Sequence, residues 1–169
     1  MKRLLLPLML ATYLPAVALA ASDSATMDVS LNNIASVSVL TSPIDFGDVP
    51  TSVNFPTATG SITVNASGGV PYNIAIDGGL DPTLGGGCRI MNGPSSAARG
   101  YSLYTDSGHT TGWGDADFDN SCAGLGDGSD VSKAGTGTGG DQIHTVFVQA
   151  FAGASVASMS DTLTVTVYY

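Results

Sequence analysis

The chain ends on a strand that nothing in its own sequence protects. In "DTLTVTVYY", residues 161–169, Leu163, Val165, Val167 and Tyr169 alternate with Thr162, Thr164, Thr166 and Tyr168. This period-two pattern sends successive side chains to opposite faces of a sheet. The residues are mostly β-branched or aromatic, the types that fit a pleated, half-buried surface. A strand at a sheet edge usually carries a charge or a proline that stops another strand from adding to it. Residues 162–169 carry neither. Such an edge calls for a partner.

A strand of the same kind opens the exported chain. "ATMDVSLNN", residues 25–33, puts Met27, Val29 and Leu31 on one face and Thr26, Asp28, Ser30 and Asn32 on the other. It follows "MKRLLLPLMLATYLPAVALA", which reads as a secretory signal peptide with a basic start at Lys2 and Arg3 and a small-x-small cleavage site ending at Ala20. The apolar run is broken by Pro7 and Pro15 and falls short of the ~20 residues of a membrane span. Chain termini fray unless tied down, so this first strand needs a sheet to join.

Between these two segments the sequence is that of an all-β protein. There is no Glu, all fourteen acidic residues are Asp, and Gly, Ser, Thr, Val and Ala dominate at the expense of helix formers. "IASVSVL" (34–40), "GSITVNAS" (60–67), "PYNIAIDGG" (71–79), "GYSLYTD" (100–106) and "IHTVFVQAF" (143–151) read as further strands. Ile62, Val64 and Ala66 share one face, as do Tyr72, Ile74 and Ile76, and Tyr101 is in phase with Leu103. Ile44 and Phe46 are apolar within "SPIDFGDVP". Seven or so short strands separated by turn signals, without a helical period, predict a β-sandwich. The Gly/Asp/Ser-rich stretch between Trp113 and Gln142 is too long and polar for a core element and reads as an excursion at the sandwich edge.

Charge and cysteine content narrow the function. Without the signal, three basic residues face fourteen aspartates, a net charge of −11, which argues against nucleic acid and anionic membranes as partners. Cys88 and Cys122 are the only cysteines and in an oxidising compartment read as one disulfide. Asp115, Asp117 and Asp119 open like a calcium loop, but Asn120 and Gly126 stand where that loop needs Gly and a bidentate Glu. A solvated acidic loop is the better reading, and no metal or cofactor is expected. His109 and His144 fit no Ser-His-Asp order and there is no G-x-S-x-G, so the chain is not read as an enzyme. Trp113, Tyr101 and Tyr104 could form a sugar platform, yet such residues more often pack in or near a sandwich core.

These pieces, taken in order, resemble the spore coat protein U family, and within it the pilins of archaic (Csu-type) chaperone–usher pili. The matching pieces are "MDVSLN", "IDFGDV", "SITVNASGGVPYNIAIDGG", "RIMNG…GYSLYTDSGHTTGWGD" and "DTLTVTVYY". The resemblance implies an incomplete immunoglobulin-like β-sandwich, completed by a donor strand. A periplasmic chaperone would supply that strand first, and the N-terminal extension of the next subunit would supply it in the fibre, through an outer-membrane usher. On that reading residues 1–20 are the signal, 21–33 the donor extension and 34–169 the pilin domain. Met27, Val29 and Leu31 donate; Leu163, Val165, Val167 and Tyr169 line the acceptor groove. Export through the periplasm to the cell surface, with roles in adhesion and biofilm, is implied in the same way. The family usually carries a cysteine pair after the donor segment and in the strand that here reads "TVNAS". Position 66 is Ala, and no Cys occurs in residues 34–55, so a Cys88–Cys122 bond would be a different staple.

Two other readings stay open. One is a secreted, self-contained sandwich that binds carbohydrate or calcium with its first strand in its own sheet; the other is a spore or outer coat layer protein. A tip adhesin is disfavoured, because a tip needs a second domain and no donor strand.

Overall fold

Alternation in the sequence becomes eight strands in the computed structural model, which describes residues 30–31, 34–81, 89–114, 132–151 and 157–169. They are β1 (Val37–Thr41), β2 (Thr57–Ala66), β3 (Pro71–Ile76), β4 (Arg89–Asn92), β5 (Ala98–Tyr104), β6 (Lys133–Thr136), β7 (Asp141–Ala150) and β8 (Val165–Tyr168), with one 3-10 turn at Pro94–Ser96. Met1–Asn33 and Ile34–Tyr169 are separate units, and all eight strands belong to the second. Among the described residues no helix is long and apolar enough to cross a membrane.

A five-stranded sheet has the order β1-β2-β7-β5-β4 and a three-stranded sheet the order β6-β3-β8. Every pairing is antiparallel. The long β2–β7 ladder, from Thr57↔Gln149 to Asn65↔Asp141, forms the spine of the larger sheet. Its register sends Ile62, Val64 and Ala66 inward together with Val146, Val148 and Ala150. Tyr101 and Leu103 of β5 continue that layer, and Tyr72, Ile74 and Ile76 of β3 meet it from the smaller sheet. A one-residue slip would turn either strand's apolar set to solvent, so burial fixes the register.

Trp113 fills the middle of this core. It is fully buried, and its indole N–H donates to the Ile74 carbonyl at 3.0 Å. Tyr101 and Tyr104 are buried as well, so these three aromatics present no exposed platform. Two arginines are also inside. Arg89 donates from Nε to the Asp77 carbonyl at 2.7 Å and from Nη2 to the Ile76 and Trp113 carbonyls at 2.9 and 3.0 Å. Arg99 reaches the Phe151, Val53 and Asn54 carbonyls. In both, the planar fork satisfies carbonyls that no strand pairing reaches.

The elements depart from the sequence reading in several places, among them β4 (Arg89–Asn92), absent from that reading, and β2, which starts at Thr57 rather than Gly60. β1 begins at Val37 rather than Ile34. β6 lies inside the stretch read as a loop: "KAGT" has no apolar alternation to detect, and forms because the edge of β3 offers it a ladder from Pro71↔Thr136 to Ile74↔Lys133. β8 pairs regularly only from Val165, because the residues before it cross from one sheet to the other.

Candidate functional site: an apolar cleft at the sandwich edge

A cleft of about 1170 Å³ opens along one side of the sandwich. Ile62, Leu103, Val146, Val148 and Ala150 form the wall on the larger sheet, and Ile76, Leu163 and Val165 the wall on the smaller. Two segments outside regular strands make the rims, residues 42–51 on one side and 157–162 on the other. The cleft is therefore continuous with the core: its walls are the core's own apolar face, and polar side chains, Asp45, Asp48 and Asp161 among them, lie along its rims.

The first rim leaves β1 at Ser42, whose N–H donates to the Ser61 carbonyl at 2.8 Å while its Oγ accepts the Ser61 N–H at 2.8 Å. The chain then diverges from β2 and turns Ile44 and Phe46 in against the core. Ile44 can lie flat on β2 because residue 60 is glycine: a Cβ there would meet Ile44 Cγ1 at 2.6 Å.

The second rim is built by carboxylates. Ser160 exchanges both backbone bonds with Asn92 of β4, at 2.9 and 3.0 Å, and so belongs to the larger sheet. One residue later the Asp161 carboxylate accepts the Tyr101 hydroxyl at 2.7 Å from the larger sheet and the Leu80 N–H at 2.9 Å from just beyond β3. It also accepts the Thr162 N–H at 2.7 Å. At the end of β3, Asp77 accepts the Thr164 N–H at 2.9 Å through its side chain, and its own N–H donates to the Thr164 carbonyl at 3.1 Å. Burial above all, and then the bond to Asp161, push the Tyr101 phenol far above its ordinary range, so it stays a donor.

β8 follows, paired with β3 from Ile76↔Val165 to Asn73↔Tyr168. Among the described residues β3 is its one neighbour, as β2 is the one neighbour of β1. Both strands stand at sheet edges, and Leu163 and Val165, on the run into β8 and at its first position, line the cleft.

The residues singled out from the sequence fall as follows. Leu163, Val165 and Val167 are half-buried and packed against the core, and the first two line the cleft. Tyr169 does not share their environment: it lies past the end of β8 and is 67% exposed. Leu31 is 83% exposed, while Met27 and Val29 lie outside the described residues. So do the signal segment, Cys88 and Cys122, and Asp115, Asp117 and Asp119. His144 sits within β7 and its Nε2 is 2.9 Å from the Tyr72 hydroxyl of the opposite sheet. His109 has φ 55 in the turn after Asp106 and sets its ring edge-on to Tyr104 at 5.1 Å. Sequence reasoning missed the Asp77–Tyr101–Asp161 set and Arg89. The one available signal was the aspartate heading an otherwise uncharged terminal strand.

Residues 23–166 match the Spore Coat Protein U domain. The chain belongs to that family. Among curated proteins none matches the sequence. Among solved structures, this spore coat protein U domain is similar to a chain in the crystal structure of the CsuC–CsuE chaperone–tip adhesion subunit pre-assembly complex, from the archaic chaperone–usher Csu pili of Acinetobacter baumannii. The TM-score is 0.55 at 17% identity, and the match covers 80% of this chain and 40% of that chain. A likeness at that identity is one of fold, and the fold is an all-β, immunoglobulin-like sandwich.

Proposed function

We propose that this spore coat protein U domain is a structural subunit of an archaic chaperone–usher pilus. In this reading the cleft receives a strand, first from a periplasmic chaperone and then from the extension of the next subunit. The observation that carries it is the cleft itself, an apolar slot opening into the core beside a strand with one neighbour. The match to a chain of a chaperone–subunit complex supports the chaperone as partner. Delivery at an outer-membrane usher, display at the cell surface and a part in adhesion and biofilm follow from the same reading.

The dimensions agree. At about 3.3 Å per residue, residues 25–31 when extended reach ~23 Å and the four residues of β8 ~13 Å, so one extended donor runs the full length of β8. Met27, Val29 and Leu31 together contribute about 5–9 kcal/mol on burial. A strand ladder adds about 0.5–1.5 kcal/mol per hydrogen bond. Association costs about 4–15 kcal/mol, so the donor holds firmly only in a cleft already shaped for it. Donation from copy to copy does not close on itself, and a filament results.

The test uses three forms of the mature chain. The intact form assembles into head-to-tail polymers, a form lacking residues 22–32 does not, and a form with those residues moved behind Tyr169 on a short linker is a stable monomer. A self-contained sandwich binding carbohydrate or calcium would instead be monomeric when intact. A fused form that still polymerises, or fails to fold, would show that the cleft is not the acceptor.

A further inference from the structure

We propose that Asp161, acting with Tyr101, is a positioning residue that holds the two sheets apart and fixes the register of β8 before a strand is received; this rests on the reading of the cleft as a strand acceptor. The rim at residues 160–164 is where the last part of the chain changes sheets. Ser160 is bonded to β4 of the larger sheet, and Thr164 to the end of β3 in the smaller. Only three residues separate the two attachments, and the Asp161 carboxylate sits between them, accepting the Tyr101 hydroxyl from the larger sheet and the Leu80 N–H from the loop that leaves β3. One side chain thus anchors the crossing to the larger sheet, three residues before Asp77 ties it to the end of β3.

The surroundings are shaped for this contact. Gly79, at φ +81, carries its α-carbon so close to Asp161 that a Cβ would overlap the carboxylate. Tyr101 is 4% exposed, so its ring is held in the core while its hydroxyl meets Asp161 at the lining of the cleft. A hydrogen bond to a charged acceptor is among the stronger single ties available. Without it, Leu163 and Val165 can move toward Leu103 and Val148 and collapse the slot, the expected response of an apolar cavity. Once a donor strand lies in the cleft, it packs on both walls and supplies the same separation. The clamp therefore matters for uptake and little for the finished polymer.

This asymmetry is what the experiment reads. Tyr101→Phe removes the cross-sheet bond alone. Asp161→Asn keeps the shape and an acceptor for Leu80 while giving up the charge. Polymerisation of each mature variant is followed by light scattering beside wild type, and the melting temperature of the assembled material is then measured. Assembly slows by about tenfold or more, the scale of one charge-assisted hydrogen bond, while the polymers melt within about 2 °C of wild type. A purely structural role would lower rate and polymer stability together, and that result, or an unchanged rate, overturns the inference. If wild type itself stays monomeric, the pilus reading falls first and the inference with it.

Discussion

Arg89→Met removes the guanidinium that joins β4 to the end of β3 and leaves three carbonyls without their donor, those of Ile76, Asp77 and Trp113. Arg89 is fully buried, so water does not replace it. Two of the three bonds are themselves buried, and each stranded acceptor costs about 1–3 kcal/mol. Methionine fills much of the stem volume and relieves the desolvation of a buried charge, which offsets part of the loss. The net destabilisation is about 3 kcal/mol. With a urea slope of ~1.5–2 kcal/mol/M for a domain of this size, the midpoint falls by about 1.5–2 M. Trp113 is the sole tryptophan and is fully buried, so its fluorescence reports the transition directly. Wild type and variant are compared at one protein concentration, since assembly stabilises by mass action. Arg89→Lys should recover only part of the loss, because one ammonium cannot reproduce a planar fork. A midpoint within about 0.3 M of wild type would refute the argument that these carbonyls depend on Arg89.

Gly79→Ala puts a Cβ into the Asp161 carboxylate at φ +81, so denaturant titration should show a loss of about 2 kcal/mol or more. Val165→Asp places a carboxylate on the wall of the cleft; polymers should be absent by size-exclusion chromatography while the strand-order circular dichroism persists. Burial first, and then Lys133, lower the His144 pKa below 6.5. The unfolded chain therefore takes up its proton first as pH falls, so the His144 contribution is complete above about pH 6.5 and declines below it until the folded form protonates. His144→Gln, measured by unfolding at pH 7.5 and at pH 5, should flatten that decline.

Much of the core was legible in single stretches. Alternation in "GSITVNAS" and "PYNIAIDGG" placed Ile62, Val64, Ala66, Tyr72, Ile74 and Ile76 on inward faces, where they are found. Alternation is a local property, and burial of one face makes it binding. Arg89 was illegible for the opposite reason. Its partners are backbone carbonyls distant in sequence, and any residue type supplies those.

The sequence by itself determined which segments are strands with one apolar face, that the last strand is unguarded, and that the surface is acidic and without Glu. Those are statements about neighbours one or two positions apart. Only the tertiary structure decided that β8 stands at a sheet edge beside an apolar cleft, that "KAGT" becomes a strand, and that Asp161 bonds Tyr101 across the layers. Each depends on which distant segment the chain folds against, because a strand's second neighbour and a carboxylate's partners are set by packing rather than by the order of residues.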